Sequence, residues 1–468
     1  MRCKGSLFFW KSKKKEEKMT LRYELSNTLL LVARRKMVFT LFFFRKPLLL
    51  QRIETVQINM TAKETRGPTT ERERFAILDV LRGLALMGIV MANFPEFALW
   101  TFLSSEQQAA MPSANVDGVV RYLQYMLVDG KFYTIFSLLF GIGFSLILTH
   151  HGRRLFLRRM LILVLIGFLH LMFIWSGDIL LLYAVGGLLL MLFVKIPDRT
   201  LLMIAVLLIL LPIALDALTE FGGVDFAAPF YSLWWQEATR QGINEENFAS
   251  WLRDADSYGE MFAFLMQGAC ERLWEFVEGH RLPKVLGLFI LGYLAGKHRL
   301  YANLKALSQV KLSLFKVQCS IPQATAFIGI PASVLYAWSA THDHLWGLTV
   351  HSLLYTVSVI PMALCYICVV CLLFLRRPDA AVFRRIAAPG RMALSCYIGQ
   401  SLIGIILFYG LGFGLGTSLG LVYVELTALA VFLLQILLCL LWLRPFRFGP
   451  LEWIWRLCTY GRYFPIVR

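Results

Sequence analysis

Charged side chains are scarce in this chain: they make up 16% of its residues, against about 25% in an ordinary soluble domain. Apolar residues make up 58%, so the scarcity excludes a soluble domain and predicts a membrane protein. The nine cysteines are scattered, mostly inside apolar runs, which excludes a disulfide scaffold. There is no clear internal repeat or mirrored pair of halves, and this weakens an inverted-repeat transporter.

The N-terminal stretch is the most basic part of the chain and has no signal-peptide pattern of one charged end, one apolar core and a cleavage site. Residues 1–59 mix basic clusters with apolar patches, and Met60 then begins a polar stretch that resembles an ordinary N-terminus. We interpret 1–59 as a non-native upstream extension, with a basic disordered arm as the alternative. Residues 60–74 are predicted to be a cytoplasmic lead.

Apolar runs long enough to span a bilayer recur after residue 74, about 20 residues being required for a helix. The sequence predicts an all-α, polytopic membrane bundle of about ten transmembrane helices within residues 75–443. The predicted spans are 75–99, 131–149, 155–174, 178–195, 199–218, 283–298, 323–340, 349–375, 392–412 and 419–443.

Basic residues test this topology, because short cytoplasmic loops hold an excess of Lys and Arg. Starting inside, every second connection is basic, and the opposing connections are nearly bare of such residues outside 219–282. Both termini, including the interfacial tail 444–468, are therefore predicted to be cytoplasmic. The net charge of +17 is explained by juxtamembrane clusters beside anionic lipid, so the lipid bilayer is the predicted partner and nucleic acid is not.

The segment 219–282 is the largest predicted extracytoplasmic region, and it is more acidic than basic. Its tryptophans predict amphipathic helices lying on the outer membrane surface, where indole rings prefer the headgroup level. The segment is interpreted either as a cap packed over the bundle or as a lid over a substrate entrance. The tryptophans are Trp234, Trp235, Trp251 and Trp274.

Asp79 and Arg82 lie inside the first predicted span, where charged groups are costly and therefore mark candidate functional sites. Their i, i+3 spacing places them on one helix face, within reach of each other. One interpretation is an interior ion pair that orients the first helix. The other is a substrate-binding site in which Arg82 holds a phosphate or carboxylate and Asp79 fixes Arg82.

His170 and Asp178 flank a short turn between the third and fourth predicted spans. So short a turn predicts an antiparallel hairpin with His170 about a turn and a half below the outer surface and Asp178 above it. A neutral histidine bonded to a neighbouring helix is one interpretation. A catalytic base made more basic by the carboxylate is the other.

Lys131 opens the second predicted span and is interpreted as an interfacial anchor or a substrate-binding residue. The following glycines, Gly141 and Gly143, lie too deep in an apolar run for a phosphate-binding loop. With Gly292 and Gly296, they are predicted to let neighbouring helices approach closely.

The ninth predicted span begins with several polar groups. Tyr397, Gln400 and Ser401 fall on one helical face, and Arg391 lies on a neighbouring stripe. Such a row either joins helices by hydrogen bonds or lines a substrate-binding cavity. No metal site is predicted, because the Cys365, Cys368 and Cys371 run and the His342–His344 loop each lack the remaining ligands.

Five collinear motifs between about Arg74 and the C-terminus resemble the YeiB family of bacterial inner-membrane proteins. They cover Leu78–Gly83, Lys131–Gly143, Gly167–Asp178, Gly390–Ser401 and Gly449–Arg456. This resemblance implies a multi-pass location in the bacterial inner membrane. The first-helix motif is also similar to that of membrane acyltransferases, which use a histidine soon after the first span. The corresponding stretch here, Ala92–Glu96, contains no histidine, so His170 would have to serve from a different helix.

The sequence therefore predicts one internal polar site formed by Asp79, Arg82, His170, Asp178 and Arg391. The favoured activity is acyl transfer to a cell-envelope acceptor, with an acyl donor such as acyl-CoA. Arg82 or Arg391 would hold the carrier phosphate and His170 would be the general base. The alternatives are a permease for a small anionic metabolite and a non-catalytic membrane scaffold.

Overall fold

The computed structural model describes residues 75–302, 304, 310–314 and 317–468. The predicted extension or arm, 1–59, and the predicted cytoplasmic lead, 60–74, lie outside these residues. In the described part, the all-α prediction is confirmed, apart from one antiparallel hairpin of β1, Lys311–Leu314, and β2, Val317–Ser320.

The α-helices are numbered here in chain order within the described residues. They are α1 Ala76–Phe97, α2 Ser105–Ala109, α3 Ala114–Leu127, α4 Lys131–Phe173, α5 Leu180–Leu190, α6 Asp198–Gly222, α7 Ala228–Arg240, α8 Trp251–Asp254, α9 Tyr258–Glu278, α10 Arg281–Lys297, α11 Ile321–Thr341, α12 Leu348–Arg376, α13 Ala381–Arg391, α14 Ala393–Phe408, α15 Leu421–Trp442 and α16 Pro450–Tyr460.

Membrane-spanning helices are confirmed, although the predicted number of ten is not. Within the described residues, six helical stretches are long and apolar enough to cross a membrane, or seven if α13 and α14, bent by 80°, count as one span. Each predicted span coincides with helical structure, but α5 and α10 are shorter than the roughly 20 residues that a crossing needs.

The long helix α4 reverses direction at Gly152, whose φ of 76° is left-handed. The rings of Phe144 and Phe156, on either side of the reversal, lie 4.4 Å apart. A straight helix would separate these residues by about 18 Å at 1.5 Å per residue. The two arms therefore run antiparallel, as the separate predicted spans 131–149 and 155–174 require.

Helix α1 lies at the centre of the bundle. In its most apolar window 67% of the residues are buried, against 17% for α6 at the periphery. The first arm of α4 packs against α10 through glycines, because a Cβ on Gly141 would lie 2.2 Å from the Phe289 carbonyl oxygen. Gly292 and Gly296 make similar close approaches, as predicted. The prediction is wrong for Gly143, which faces open space.

The predicted extracytoplasmic segment forms a layer of α7, α8 and α9. The ring of Trp234 stacks on Trp274 at a centroid distance of 5.0 Å, and its Nε1 donates to Gln267 Oε1 at 2.5 Å. Trp234 is buried. These tryptophans thus form an aromatic core within the layer, which favours the interpretation that the segment packs as a folded cover.

We expect Gly141→Val to destabilise the protein and Gly143→Val to have little effect. The added side chain at position 141 meets the α10 backbone, and overpacking of this kind costs about 1–3 kcal/mol. Thermal unfolding of the two variants in detergent measures the difference, with Gly143→Val as the matched control. Equal melting temperatures would contradict the close α4–α10 contact.

Candidate functional site

His170 is held between two hydrogen-bonding partners in the interior. Its Nδ1 lies 2.9 Å from Asp178 Oδ1, and its Nε2 lies 3.0 Å from Ser401 Oγ on α14. The three residues are each 1% exposed. The structure thus brings both predicted catalytic residues into contact, together with a serine that the sequence placed in the substrate-binding set.

The turn between α4 and α5 explains the position of Asp178. The backbone N–H of Trp175 bonds back to the His170 carbonyl at 2.8 Å, which reverses the chain directly after α4. Asp178 Oδ2 then accepts from the Leu181 N–H at 2.7 Å in the first turn of α5. A carboxylate is favoured there, because the first N–H groups of a helix lack intrahelical partners and carry partial positive charge.

The hydrogen bonds also assign the protons on His170. A carboxylate can only accept, so Nδ1 of the neutral ring carries the proton that faces Asp178. Nε2 of a neutral ring is then an acceptor for the Ser401 hydroxyl, which also lies 3.4 Å from the Tyr397 carbonyl oxygen. This order of serine, histidine and aspartate is the one in which imidazole activates a hydroxyl as a nucleophile.

Aromatic side chains enclose the imidazole. The ring of Tyr397, one helical turn before Ser401, lies 5.3 Å from the His170 ring, and its hydroxyl accepts from the Ile179 N–H at 3.3 Å. Trp175 meets the imidazole edge-on at 6.3 Å and stacks on Phe97 of α1 at 4.2 Å. The three residues Ser401, His170 and Asp178 thus form a triad whose imidazole packs against aromatic rings.

Arg272 of α9 lies against the turn beside the triad. Arg272 of α9 donates from Nε to the Ser176 carbonyl at 2.8 Å, and its other nitrogens contact Glu96 at 3.3 Å and Glu275 at 2.5 Å. Helix α9 touches the turn directly, because a Cβ on Gly268 would lie 2.6 Å from the Ser176 Cβ. These contacts have no local signal in the sequence, because they join distant segments.

Asp79 and Arg82 form the predicted pair, with Arg82 Nη1 3.0 Å from Asp79 Oδ1, at the opposite end of α1. A Cβ on Gly390 would lie 1.9 Å from the Asp79 carbonyl oxygen, so the neighbouring Arg391 belongs to this end. Phe97, beside the triad, is about 27 Å from Asp79 along the helix, at 1.5 Å per residue. The predicted single site is therefore divided between two regions.

Two other predicted substrate-binding residues contact neither group. Lys131 is fully buried and its Nζ donates to the Tyr125 carbonyl at 2.6 Å. Gln400 donates to Gln435 Oε1 on α15 at 2.9 Å, so its side chain is directed to α15 and not to His170. Gln400 thus joins two helices, which is one of the roles that the sequence predicted for the polar row.

Glu452 of α16 holds the N-terminal end of α14 in place. Its Oε1 accepts from the N–H groups of Leu394 at 2.7 Å and Ser395 at 3.1 Å, and its Oε2 accepts from Ser395 Oγ at 2.5 Å. Burial raises the pKa of Glu452, although the Ser395 hydrogen bonds act in the opposite direction. The carboxylate therefore caps the helix that carries Tyr397 and Ser401, although Glu452 lies more than 50 residues after the start of that helix.

Comparisons with known proteins agree with the motif resemblance. A family model described as "Protein of unknown function (DUF418)" matches residues 314–462, which include α14 and its Glu452 cap. The chain is 29% identical to "Uncharacterized protein YxaH" of Bacillus subtilis over 86% of this chain and 98% of that protein. It is 28% identical to "Uncharacterized protein YeiB" of Escherichia coli over 83% of this chain and 96% of that protein. The predicted resemblance to the YeiB family is confirmed. No solved structure gives a significant match.

We expect Glu452→Ala to lower the free energy of unfolding by about 1–3 kcal/mol, because it leaves partly buried N–H groups at the start of α14 without an acceptor. Thermal unfolding of the full-length protein in detergent gives the effect. The control is Glu246→Ala, which changes an exposed glutamate in the outer layer. Similar melting temperatures for the two variants would show that the cap does not stabilise α14.

Proposed function

We propose that this membrane protein is an acyltransferase whose reacting group is Ser401, His170 and Asp178. The observation that carries the proposal is the hydrogen-bonded chain from Ser401 Oγ to His170 Nε2 at 3.0 Å and from His170 Nδ1 to Asp178 Oδ1 at 2.9 Å. In the sequence-based hypothesis His170 alone was the base. The serine adds a nucleophile on which an acyl group can be held.

The proposed first half-reaction transfers an acyl group from a thioester donor, such as acyl-CoA, to Ser401. Ser401 Oγ attacks the carbonyl carbon while His170 Nε2 takes the hydroxyl proton. The carbon–sulfur bond breaks, and the departing sulfur takes that proton from His170. Asp178 keeps the imidazole in the required tautomer and stabilises the positive charge that forms on it.

In the second half-reaction, a hydroxyl of the cell-envelope acceptor gives its proton to His170 and attacks the serine ester. The ester bond to Ser401 Oγ breaks, and Oγ recovers the proton from His170. Tyr397 is positioned to assist both halves, because its hydroxyl accepts from Ile179 and keeps its own proton for an oxyanion. The buried position of the three residues limits competing hydrolysis by water.

Substrate access in this proposal requires α9 to move. The layer is attached at the triad by Arg272, through the Ser176 carbonyl and Glu96. This supports the lid interpretation of segment 219–282, because a lid both excludes water and opens for exchange. The acceptor would then enter from the outer side.

The donor would enter from the inner end of α1 and α14. Arg82 and Arg391 lie at that end. The distribution of basic residues predicts that this end is at the cytoplasmic face of an inner membrane, with both termini inside. In this proposal their guanidinium groups hold the carrier phosphates. Ser401 lies about 12 Å along α14 from Ala393, within reach of a long flexible carrier arm.

The proposal is tested by incubating purified full-length protein with acetyl-CoA and measuring its intact mass. We expect one acetyl group on Ser401 in the wild type and none in Ser401→Ala. Asp178→Asn should slow the labelling by about 10⁴-fold, because the amide no longer holds the imidazole in the required tautomer.

Ser358→Ala is the matched control, because it removes a buried serine hydroxyl that bonds Ser333 on a neighbouring helix and is not part of the proposed triad. Labelling at the wild-type rate in Ser401→Ala and His170→Ala would reject the triad as the reacting group. Uptake of an anionic metabolite into liposomes without any covalent product would favour the permease instead.

A further inference from the structure

A small cavity with a mostly apolar lining lies between α4, α6, α10 and α12, away from the triad. Its polar lining consists of Tyr133, Thr134, Lys284, Tyr355 and Thr356, and apolar side chains close the rest. The volume is about 20 Å³, roughly that occupied by one water molecule. The cavity therefore admits a single ordered water or one oxygen atom of a larger molecule.

Lys284, in the first turn of α10, lines this cavity, and Arg281 is the first residue of the same helix. Arg281 and Lys284 are separated by i, i+3, so they share a helix face. In the described part of the chain, neither side chain makes an ion pair or a hydrogen bond to another residue. Lys284 Nζ lies 4.6 Å from the centroid of the Tyr355 ring. A cluster of this kind presents several unused N–H donors.

The neighbouring carboxylates are engaged elsewhere. Asp216 accepts from His280 Nε2 at 2.9 Å and from the Ser352 hydroxyl. Glu275 contacts Arg272 at 2.5 Å. The positive charge beside the cavity is thus not neutralised by direct contact within the described residues.

Thr134 supplies an independent observation. Its Oγ1 is buried and has no hydrogen-bond partner in the described structure, although it lines the cavity. Buried hydroxyls in native proteins nearly always have a partner, from the protein, water or a ligand. Beside it, the Tyr355 hydroxyl donates to the Tyr133 hydroxyl at 3.4 Å.

We propose that Arg281, Lys284 and Thr134 form a binding site for an oxyanion, the phosphate or carboxylate group of a larger molecule. One oxygen occupies the cavity and accepts from Thr134 and Lys284, and the remaining oxygens are held by the planar fork of Arg281. The anion is carried either by a soluble molecule or by a lipid headgroup. The site shares no residue with the Ser401 triad and does not depend on acyl transfer.

Isothermal titration of the full-length protein with inorganic phosphate, in a maltoside detergent, tests this site. We expect saturable binding that weakens about tenfold or more in Arg281→Gln and in Lys284→Gln, the change expected from loss of one charge-assisted hydrogen bond. Thr134→Val conserves the side-chain shape and should also weaken binding. Lys297→Gln is the control, because Lys297 is on the same helix but pairs with Asp198 at 2.6 Å.

A parallel titration with short-chain phosphatidylglycerol identifies the source of the anion. Tighter binding of the lipid assigns a headgroup, and tighter binding of phosphate assigns a soluble ligand. Melting temperatures establish that each variant is folded. Ser401→Ala should keep the wild-type phosphate affinity, which separates this site from the triad. Absence of binding of both probes to the wild type, or unchanged affinity in a folded Arg281→Gln/Lys284→Gln double variant, overturns the proposal.

Discussion

The two hydrogen bonds of the His170 ring join parts of the chain that are far apart in sequence. An imidazole inside a membrane bundle has no bulk water for its nitrogens, so both must find partners in the protein. Asp178 provides one from the turn before α5, and Ser401 provides the other from α14. The position of α14 relative to the α4–α5 hairpin follows from this requirement, as does the enclosure of the ring by Tyr397 and Trp175.

Helix α14 is fixed at both ends around that interaction. At its N-terminal end the Glu452 carboxylate accepts from the first N–H groups, and near its C-terminal end a Cβ on Gly404 would lie 2.6 Å from the Phe97 ring. In the proposed reaction, a nucleophile carried on a helix restrained in this way needs little reorganisation. Because α14 is restrained, the proposed acyl transfer requires α9, the helix over the site, to move and admit the substrate.

The sequence predicted the features that depend on local patterns. Apolar run length located the helices, and the short Trp175–Gly177 turn predicted that His170 and Asp178 lie on one hairpin. Ser401 was recognised as polar and inward-facing, but its contact with His170 spans 231 positions and leaves no periodic signal. Asp79 and His170 are separated because they lie near opposite ends of α1. Hydropathy does not show at which end of a neighbouring helix a side chain lies. The contact of Glu452 with the start of α14 was not predicted, because it joins helix ends that are far apart in sequence.

The location of the Glu452 cap has a consequence for biosynthesis. The N–H groups that it satisfies belong to α14, yet the ribosome completes α15 before Glu452 is made. While the chain is growing, the N–H groups at the start of α14 do not yet have this acceptor. The cap can form only after α16 has been synthesised.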